Sequence, residues 1–213
     1  MATRAYGQYC GFARALEVIG ERWALMIIRD LLVSPKRFSD LHRGLPGIPT
    51  NVLSARLKEL EEAGVVHRRV MPRPERGIAY ELTDYGNELE TVVFDIGRWG
   101  AKALGNPRDG ETITTDSIVT ALRTTFQPDA AKTIKASYEL LMGPVVVHAT
   151  IDRGKLEVAE GALPDADLTI EAGPQLRSLM AHEMSADEAV KSGAVRIRGD
   201  KRLLKQFAEI FRI

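Results

Sequence analysis

The turn sequence GLPGIP, residues 44–49, constrains the fold of this chain more than any other feature. Its two glycines and two prolines cannot continue a helix, so they separate what precedes them from the amphipathic stretch that follows. In that stretch Thr50 is a suitable N-cap, and Gly64 is the residue type favoured just after a helix C-terminus. The pattern therefore predicts a helix with defined ends directly after a tight turn.

The predicted helix has one apolar and one small polar face. On a helical wheel Leu53, Leu57 and Leu60 fall together and are expected to face the core. The opposite side carries Asn51, Ser54, Ala55, Lys58 and Glu62, with Arg56 beside the core edge. Short polar residues on the first two turns are typical of a helix that enters the major groove, whereas a lone helix of this kind is more often a solvated surface.

The segments on either side of this helix decide between a DNA-binding helix and a solvated surface helix. Apolar periodicity predicts a helix over 12–32, and RFSDLHRGLP predicts a short helix with Ser39 as a possible cap. After the amphipathic helix, GVVHRRVM and IAYELT predict two strands around the turn PRPERG, with Val66 and Val70 on one face and Arg68 on the other. A further helix is expected over 84–104. This order is that of a winged helix-turn-helix.

The hairpin concentrates positive charge beside the helix. Between positions 36 and 76 there are nine Lys or Arg and five Asp or Glu, although the whole chain has 29 of each. A basic patch within a neutral protein permits phosphate binding. We therefore expect the DNA-contacting residues to be Ser39, Thr50, Asn51, Ser54, Ala55, Arg56, Lys58, Arg68, Arg69, Arg73 and Arg76.

The second half has a different texture. After the polar stretch GNPRDGETITTD come four predicted strands, two helices, a strand over AVRIRGD and a closing helix over KRLLKQFAEIF. Strands followed by helices indicate an α+β domain. We predict an α+β, two-domain chain: a winged helix-turn-helix domain over 1–105, a linker over 106–115 and a second domain over 116–213. The longest uncharged run in this half, 140–151, is too short to span a bilayer, and we expect a cytoplasmic protein without a signal peptide.

Several spaced blocks, among them ERWALMIIRDLL, RFSDLHRGLPGIPTNVLSARLKELEEAGVVHRRV and YELTDYGNELETVVFDIGRWG, resemble the HxlR family of bacterial winged-helix transcription factors. The resemblance covers roughly 9–103. It implies a homodimer joined through the N-terminal segments and the helix after the wing, and a roughly palindromic double-stranded DNA operator. By position it makes 50–62 the recognition helix and 68–80 the wing. Asn51 stands where the family often has Lys or Arg, which affects the expected operator preference.

The stretch PDADLTIEAGPQLRSLMAHEMSADEAVKSGAVRIRGDKRLLKQF resembles the sterol carrier protein type 2-like fold over about 116–213. Members of that fold bind lipids or acyl chains in an apolar tunnel. The resemblance implies either a sensor of an apolar effector or a filled module for dimerisation or spacing, and we favour the sensor slightly. Its expected pocket residues are Leu140, Met142, Leu179, Met180, Met184, Phe207 and Phe211.

The remaining candidate sites are weaker. Cys10 is the only cysteine, which excludes an internal disulfide and a cysteine-cluster zinc site. It matches a family cysteine that senses oxidants in some members, but its neighbours favour a small packed residue; a redox role predicts that oxidant weakens operator binding unless Cys10 is replaced by Ser. The four histidines have no metal-ligand spacing, and no metal or cofactor is expected. Trp23 and Trp99 are expected in the core or at a dimer interface.

Three functions remain in comparison. The first is a homodimeric transcriptional regulator, most often a repressor in this family. The second is a lipid or acyl-ligand carrier whose N-terminal half only dimerises. The third is an enzyme acting on such a ligand, for which the sequence offers no catalytic constellation. The breaker-rich turn and the arginine-bearing hairpin favour the regulator, because a carrier needs neither.

Overall fold

The computed structural model describes residues 5–72 and 76–213. The chain divides into two compact units, Met1–Val93 and Phe94–Ile213, and each is described separately. The division falls inside a helix, N-terminal to the expected linker over 106–115.

The N-terminal unit follows the order helix–helix–turn–helix–hairpin–helix that the sequence predicts. Its elements, with the helix that crosses into the second unit, are α1 (Gly11–Ile19), α2 (Ala24–Val33), α3 (Phe38–Gly44), α4 (Thr50–Glu62), β1 (Val66–Met71), β2 (Gly77–Leu82), α5 (Asp84–Asn87) and α6 (Glu90–Ala101). The winged helix-turn-helix prediction for this half is confirmed by this order.

Two predicted helices are each broken in the structure. The expected helix over 12–32 ends at Ile19 and resumes at Ala24, because Trp23, the N-cap of α2, adopts the left-handed conformation with φ 82°. Such a backbone conformation cannot continue a right-handed helix. The expected helix over 84–104 is likewise divided into α5 and α6. Single-helix predictions were wrong at both places.

The core of the N-terminal unit explains why α4 lies where it does. Leu53, Leu57 and Leu60 are at most 1% exposed and share the interior with apolar residues of α2, α3 and the turn before α4. Complete burial of a leucine side chain contributes about 1.5–3 kcal/mol relative to leaving it exposed. The apolar stripe therefore determines which side of α4 faces solvent.

The C-terminal unit is an α+β domain with one five-stranded sheet. After α7 (Thr115–Thr125) come β3 (Lys135–Met142), β4 (Val145–Asp152), β5 (Lys155–Glu160), β6 (Leu168–Ala172), α8 (Leu176–Met180), α9 (Ala186–Lys191), β7 (Val195–Gly199) and α10 (Arg202–Ile210). The sheet order is β5-β4-β3-β6-β7, and only the central β3–β6 pair is parallel. All five expected strands and the three helices after β5 are present, whereas α7 was not expected.

An aromatic cluster fills the interior of the C-terminal unit. Tyr138, Phe207 and Phe211 are completely buried, and Phe126 packs against Phe211 with ring centroids 5.7 Å apart. The Tyr138 hydroxyl donates to Gln206 Oε1 at 3.0 Å. Burial, with a smaller contribution from the Asp167 carboxylate, raises the pKa of Tyr138 well above its ordinary value. The hydroxyl is therefore a permanent donor that ties β3 to α10.

Candidate nucleic-acid interface and other candidate sites

The outward side of α4 is polar and accessible. Asn51, Ser54 and Lys58 are exposed, and Lys58 retains 70% of its side-chain exposure. Ala55 is partly covered. The Ser54 hydroxyl donates to the Thr50 carbonyl oxygen at 2.9 Å, so this side chain lies close to the helix. The first two outward turns of α4 are therefore lined by short side chains, and Lys58 is the long one.

Two buried apolar side chains hold the turn before α4 against the core. Leu45 and Ile48 are 0% and 4% exposed, while Pro46 and Gly47 between them face solvent, Gly47 with φ 84°. A left-handed φ at this position is available to glycine without steric cost, which allows the sharp reversal between α3 and α4. The burial of the two flanking apolar residues determines where α4 begins.

The expected N-cap of α4 was wrong by one residue. Pro49 is the N-cap, with an extended backbone at φ −67° and ψ 142°, and Thr50 is the first helical residue. The ring of Pro49 already holds the φ that an extended N-cap requires, and Pro49 provides no side-chain cap bond. The Thr50 hydroxyl instead lies 3.4 Å from His42 Nε2 of α3. It is exposed and remains part of the outward surface.

Ser39 is not a cap either. Arg37 is the N-cap of α3, and Asp40 accepts a hydrogen bond from the Arg37 backbone N–H at 3.2 Å. Ser39 is the second residue of α3 and is exposed, with its hydroxyl 3.5 Å from Asp40 Oδ1. It is thus accessible to a partner.

The hairpin places its residues by an antiparallel register. Arg68 lies opposite Tyr80 and Val70 opposite Ile78. Because residues two apart share a face of a strand, Val66, Arg68 and Val70 lie on the same face, and the expectation that Arg68 faces the other way was wrong. Val66 is 1% exposed and Val70 is 80% exposed, because the strand begins against the core and extends away from it into solvent. A bridge from Lys36 to Tyr80 fastens the hairpin to the segment before α3.

The cations of this surface are paired with glutamates. Arg68 lies 3.2 Å from Glu61 of α4 and places its guanidinium 5.8 Å from the ring centroid of Tyr80. Arg69 lies 2.9 Å from Glu81, and Lys58 lies 3.6 Å from Glu62. These are exposed or half-exposed pairs, which contribute little to stability and exchange readily for another anion such as phosphate. Tyr80 and Glu61 are site residues that the sequence prediction missed, because the strand register brings Tyr80 to Arg68 and the packing of α4 beside β1 brings Glu61 to it.

Arg56 differs from the other predicted DNA contacts. Its side chain is only 18% exposed, and it pairs with Glu59 of α4 and with Glu21, the latter at 3.7 Å. Arg76 is exposed, while Arg73 lies outside the described residues. The structure therefore places Thr50, Asn51, Ser54 and Lys58 on the outward side of α4. Arg68 pairs with the end of that helix, whereas Arg69 lies on the opposite face of β1, and Arg56 is directed towards the core edge.

Cys10 lies at the N-terminus of α1, where it is the N-cap residue. It is exposed, so the favoured expectation of a packed residue was wrong for the protomer. The backbone N–H groups of Ala13 and Phe12, at the N-terminus of α1, favour the thiolate and lower the pKa of the Cys10 thiol. The sulfur is thus an accessible thiol with an increased thiolate fraction.

The expected ligand residues of the C-terminal unit are mostly interior. Six of the seven are at most 6% exposed, and Met184 is half-buried. A solvent-open groove of about 660 Å³ lies beside Met184 and is lined mainly by small and polar residues, including Gln175, Ser192 and Arg196. Of the seven, Met184 alone lines this groove.

Expectations from the sequence also concerned the two tryptophans, metal ligands and membrane-spanning helices. Trp23 is half-buried, whereas Trp99 on α6 is 76% exposed and lies outside the core. Across residues 5–72 and 76–213, no group of three or more His, Cys, Asp or Glu side chains could hold a metal ion. Over the same ranges, every helix is too short or too polar to cross a membrane.

Comparison with known proteins concerns the N-terminal half. The profile of the HxlR-like helix-turn-helix family matches residues 18–107. YvaP, an HTH-type transcriptional regulator of Bacillus subtilis (strain 168), is 40% identical over 91 residues, which are 43% of this chain and 84% of YvaP. YodB, an HTH-type transcriptional regulator of the same organism, is 36% identical over 85 residues, 40% of this chain and 76% of YodB.

Two solved structures match this chain with similar sequence identity and coverage. The crystal structure of the HTH-type transcriptional regulator ytcD is 35% identical, with 46% of this chain and 99% of that chain covered and a TM-score of 0.42. The quinone-bound crystal structure of YodB is 33% identical, with 43% of this chain and 96% of that chain covered and a TM-score of 0.37. Because YvaP is matched over most of its length at this identity, the chain belongs to the HxlR-like helix-turn-helix family of transcriptional regulators.

Proposed function

We propose that this protein is a cytoplasmic repressor that binds a palindromic DNA operator as a homodimer and has no catalytic role. One observation carries the proposal: α4 buries Leu53, Leu57 and Leu60 and thereby exposes Asn51, Ser54 and Lys58 on its opposite side. A helix of this kind beside an arginine-bearing hairpin supplies both base-edge contacts and phosphate contacts.

Each exposed side chain has a defined role in the proposal. The Asn51 amide pairs with an adenine edge, and Lys58 binds a guanine edge or a phosphate. Arg68 and Arg69 leave their glutamate partners for backbone phosphates, and Arg76 extends this contact along the wing. The same role for Arg73 stays a prediction from the sequence. Phosphate contacts supply most of the affinity and make it sensitive to salt.

An exposed apolar stripe on α6 supports the homodimer. Val92, Ile96 and Trp99 recur at four- and three-residue spacing and are 42%, 46% and 76% exposed. Tyr9 and Phe12 of the N-terminal segment are exposed as well. An exposed apolar stripe marks a site of association, and a second copy can cover the stripe on α6 through two-fold symmetry. In a two-fold dimer the recognition helices would meet half-sites about 34–36 Å apart.

Fluorescence anisotropy with labelled genomic fragments tests this function. Replacing Lys58 by Gln should weaken binding by about fivefold or more if the amine contacts a base edge, since such contacts are worth about 1–3 kcal/mol. If it contacts a phosphate, the slope of log K against log salt should fall by about 0.9. Lys132→Gln is the matched control, because Lys132 is equally exposed but lies in the C-terminal unit. Absence of any fragment bound by the wild type, or equal binding by both variants, would contradict the proposal.

A second function is favoured by the exposed, pKa-lowered thiol of Cys10: sensing of a quinone-type electrophile. A quinone binds the relative YodB in a solved structure. In the proposed step the Cys10 thiolate adds to a ring carbon of the quinone and forms a C–S bond. The displaced electron pair passes to the quinone oxygen, which takes one proton from water. The ring carbon that now bears sulfur loses its proton and the second oxygen gains one, so the product is a hydroquinone thioether. Benzoquinone should weaken operator binding by the wild type and leave Cys10→Ser unaffected; an identical response of both proteins would remove the idea.

We further propose that the C-terminal unit has the sterol carrier protein type 2-like fold and senses an apolar effector. The sheet with helices and its apolar interior support this. Phe207 and Phe211 pack against Tyr138, so a ligand that occupies this part of the interior has to separate these rings. Operator affinity measured with and without palmitate or a lipid extract tests the proposal, because coupling between the two ligands must be reciprocal. An unchanged affinity and no lipid bound would leave the module as a spacer or dimerisation unit.

A further inference from the structure

We propose that Arg56 is a positioning residue for the recognition helix and not a DNA contact. The inference rests on the proposed function of α4. Arg56 lies two residues before Lys58, and from that position in the sequence it was expected to contact DNA.

The geometry directs Arg56 away from the outward surface. Its side chain is 18% exposed, compared with 70% for the side chain of Lys58 on the same helix. It pairs with Glu59 one turn further along α4, and its Nη1 lies 3.7 Å from the Glu21 carboxylate. The planar guanidinium can serve two carboxylates at once, which an ammonium does less well.

Glu21 belongs to the corner between α1 and α2. Trp23, with φ 82°, is the N-cap of α2, a helix with five buried residues, so the corner is attached to the core through α2. The Glu21–Arg56 pair therefore joins α4 to a part of the core that does not belong to α3 or to the hairpin. It is a lateral restraint on α4, in addition to the buried line of Leu53, Leu57 and Leu60 and to the contacts of the two helix ends with His42 and Arg68.

A lateral restraint matters for reading bases. Three leucines on one stripe hold α4 against the core, but a stripe parallel to the helix axis resists rotation about that axis less than it resists separation. Arg56, beside the stripe, restrains this rotation. A small rotation displaces Asn51 and Lys58 relative to the base edges, and hydrogen bonds to bases weaken steeply with such displacement.

The two possible roles of Arg56 predict opposite changes in DNA affinity for the substitution Glu21→Gln. If Arg56 contacts phosphate, Glu21→Gln removes a nearby negative charge, and DNA binding should stay equal or become tighter. If Arg56 positions α4 through Glu21, the same substitution should weaken binding by about two- to fivefold, the worth of a partly exposed ion pair. The slope of log K against log salt should remain that of the wild type.

The experiment measures operator binding by anisotropy over a range of salt concentrations for the full chain. The variants are Glu21→Gln, Arg56→Gln, Arg56→Lys and the double Gln variant, with Lys58→Gln as reference. We expect the Glu21 and Arg56 single variants to weaken binding similarly, the double variant to be no worse, and Arg56→Lys to fail to restore binding although it keeps the charge. Far-UV circular dichroism establishes that each variant is folded at the assay temperature. If an Arg56 variant is unfolded, the binding of the more conservative Glu21→Gln variant decides between a positioning role and a DNA contact.

Each outcome has a defined consequence. Glu21→Gln binding as tightly as the wild type, or Arg56→Gln lowering the salt slope by about 0.9, overturns the positioning role. In both cases a weakened Lys58→Gln variant shows that α4 still binds DNA, so the proposed function survives. A wild type that binds no fragment overturns the proposed function and this inference with it.

Discussion

The assignment of inside and outside on α4 can be tested on two adjacent residues. Leu57 is 1% exposed and Lys58 is 70% exposed. Replacing Leu57 by Ala removes buried methyl groups and leaves a cavity, which costs about 2–5 kcal/mol. Replacing Lys58 by Ala removes an exposed i,i+4 pair with Glu62, worth about 0.3–0.5 kcal/mol. The loss for Leu57→Ala should therefore be about four or more times the loss for Lys58→Ala.

Urea unfolding followed by tryptophan fluorescence measures both losses. A Trp99→Phe background leaves Trp23, which lies in the N-terminal unit, as the only reporter. With an m-value of about 1.5 kcal/mol/M, a loss of about 3 kcal/mol lowers the midpoint by about 2 M. Lys58→Ala should lower it by about 0.3 M at most and should instead weaken operator binding. Equal midpoints for the two variants, or a larger loss for Lys58→Ala, would refute the orientation of the helix.

Three further predictions concern other parts of the chain. Trp99→Ser should shift sedimentation from dimer towards monomer, since it removes the most exposed apolar side chain of α6; an unchanged dimer would move the interface elsewhere. Phe211→Ala should destabilise the C-terminal unit by about 3–5 kcal/mol in calorimetry, and a loss below about 1 kcal/mol would mean that the site is not packed. Because hydrogen bonding lowers the pKa of Cys10, its alkylation rate should reach half-maximum below about pH 8.5, and a midpoint at or above that of free cysteine would contradict the lowered pKa.

The recognition helix and the hairpin could be predicted because their signals are local. LPGIP allows no helix after α3 ends at Gly44, Gly64 follows the end of α4 with φ 71°, and leucines at three- and four-residue spacing define a buried stripe. The turn and alternation of the hairpin are equally local, so its strands were also correctly predicted. In each case neighbouring residues in sequence carry the physical cause, and tertiary contacts only reinforce it.

Other elements depend on contacts or conformations without a local signal. Trp23 in the left-handed region divides the predicted first helix, and a bulky aromatic side chain is a poor indicator of that conformation. Helix α7 has the sequence TDSIVTALRTT, in which several threonines lower helix propensity. It is stabilised by the Thr114 cap and by burial of Val119 and Leu122, which only the folded unit provides.

The partners of the arginines were the least predictable part of the site. Arg56 and Lys58 differ by two positions in sequence, yet one faces Glu21 and the other faces solvent. Helical periodicity places Arg56 at the edge of the core, but the glutamate opposite it comes from a corner whose existence depends on Trp23. Ion pairs between distant segments follow from the tertiary fold, so they appear in the structure and not in the sequence pattern.

These ion pairs lead to a last prediction about the sign of a charge change. Glu81 accepts from Arg69 at 2.9 Å and lies 3.5 Å from His67, all on the hairpin. Glu81→Gln should free Arg69 for phosphate and tighten operator binding by about two- to fivefold. Glu21→Gln changes charge by the same amount, yet it should weaken binding, because its arginine positions α4 rather than meeting DNA. Parallel anisotropy titrations of the two variants compare the signs directly; a shift of both in the same direction would mean that net charge alone governs the interface.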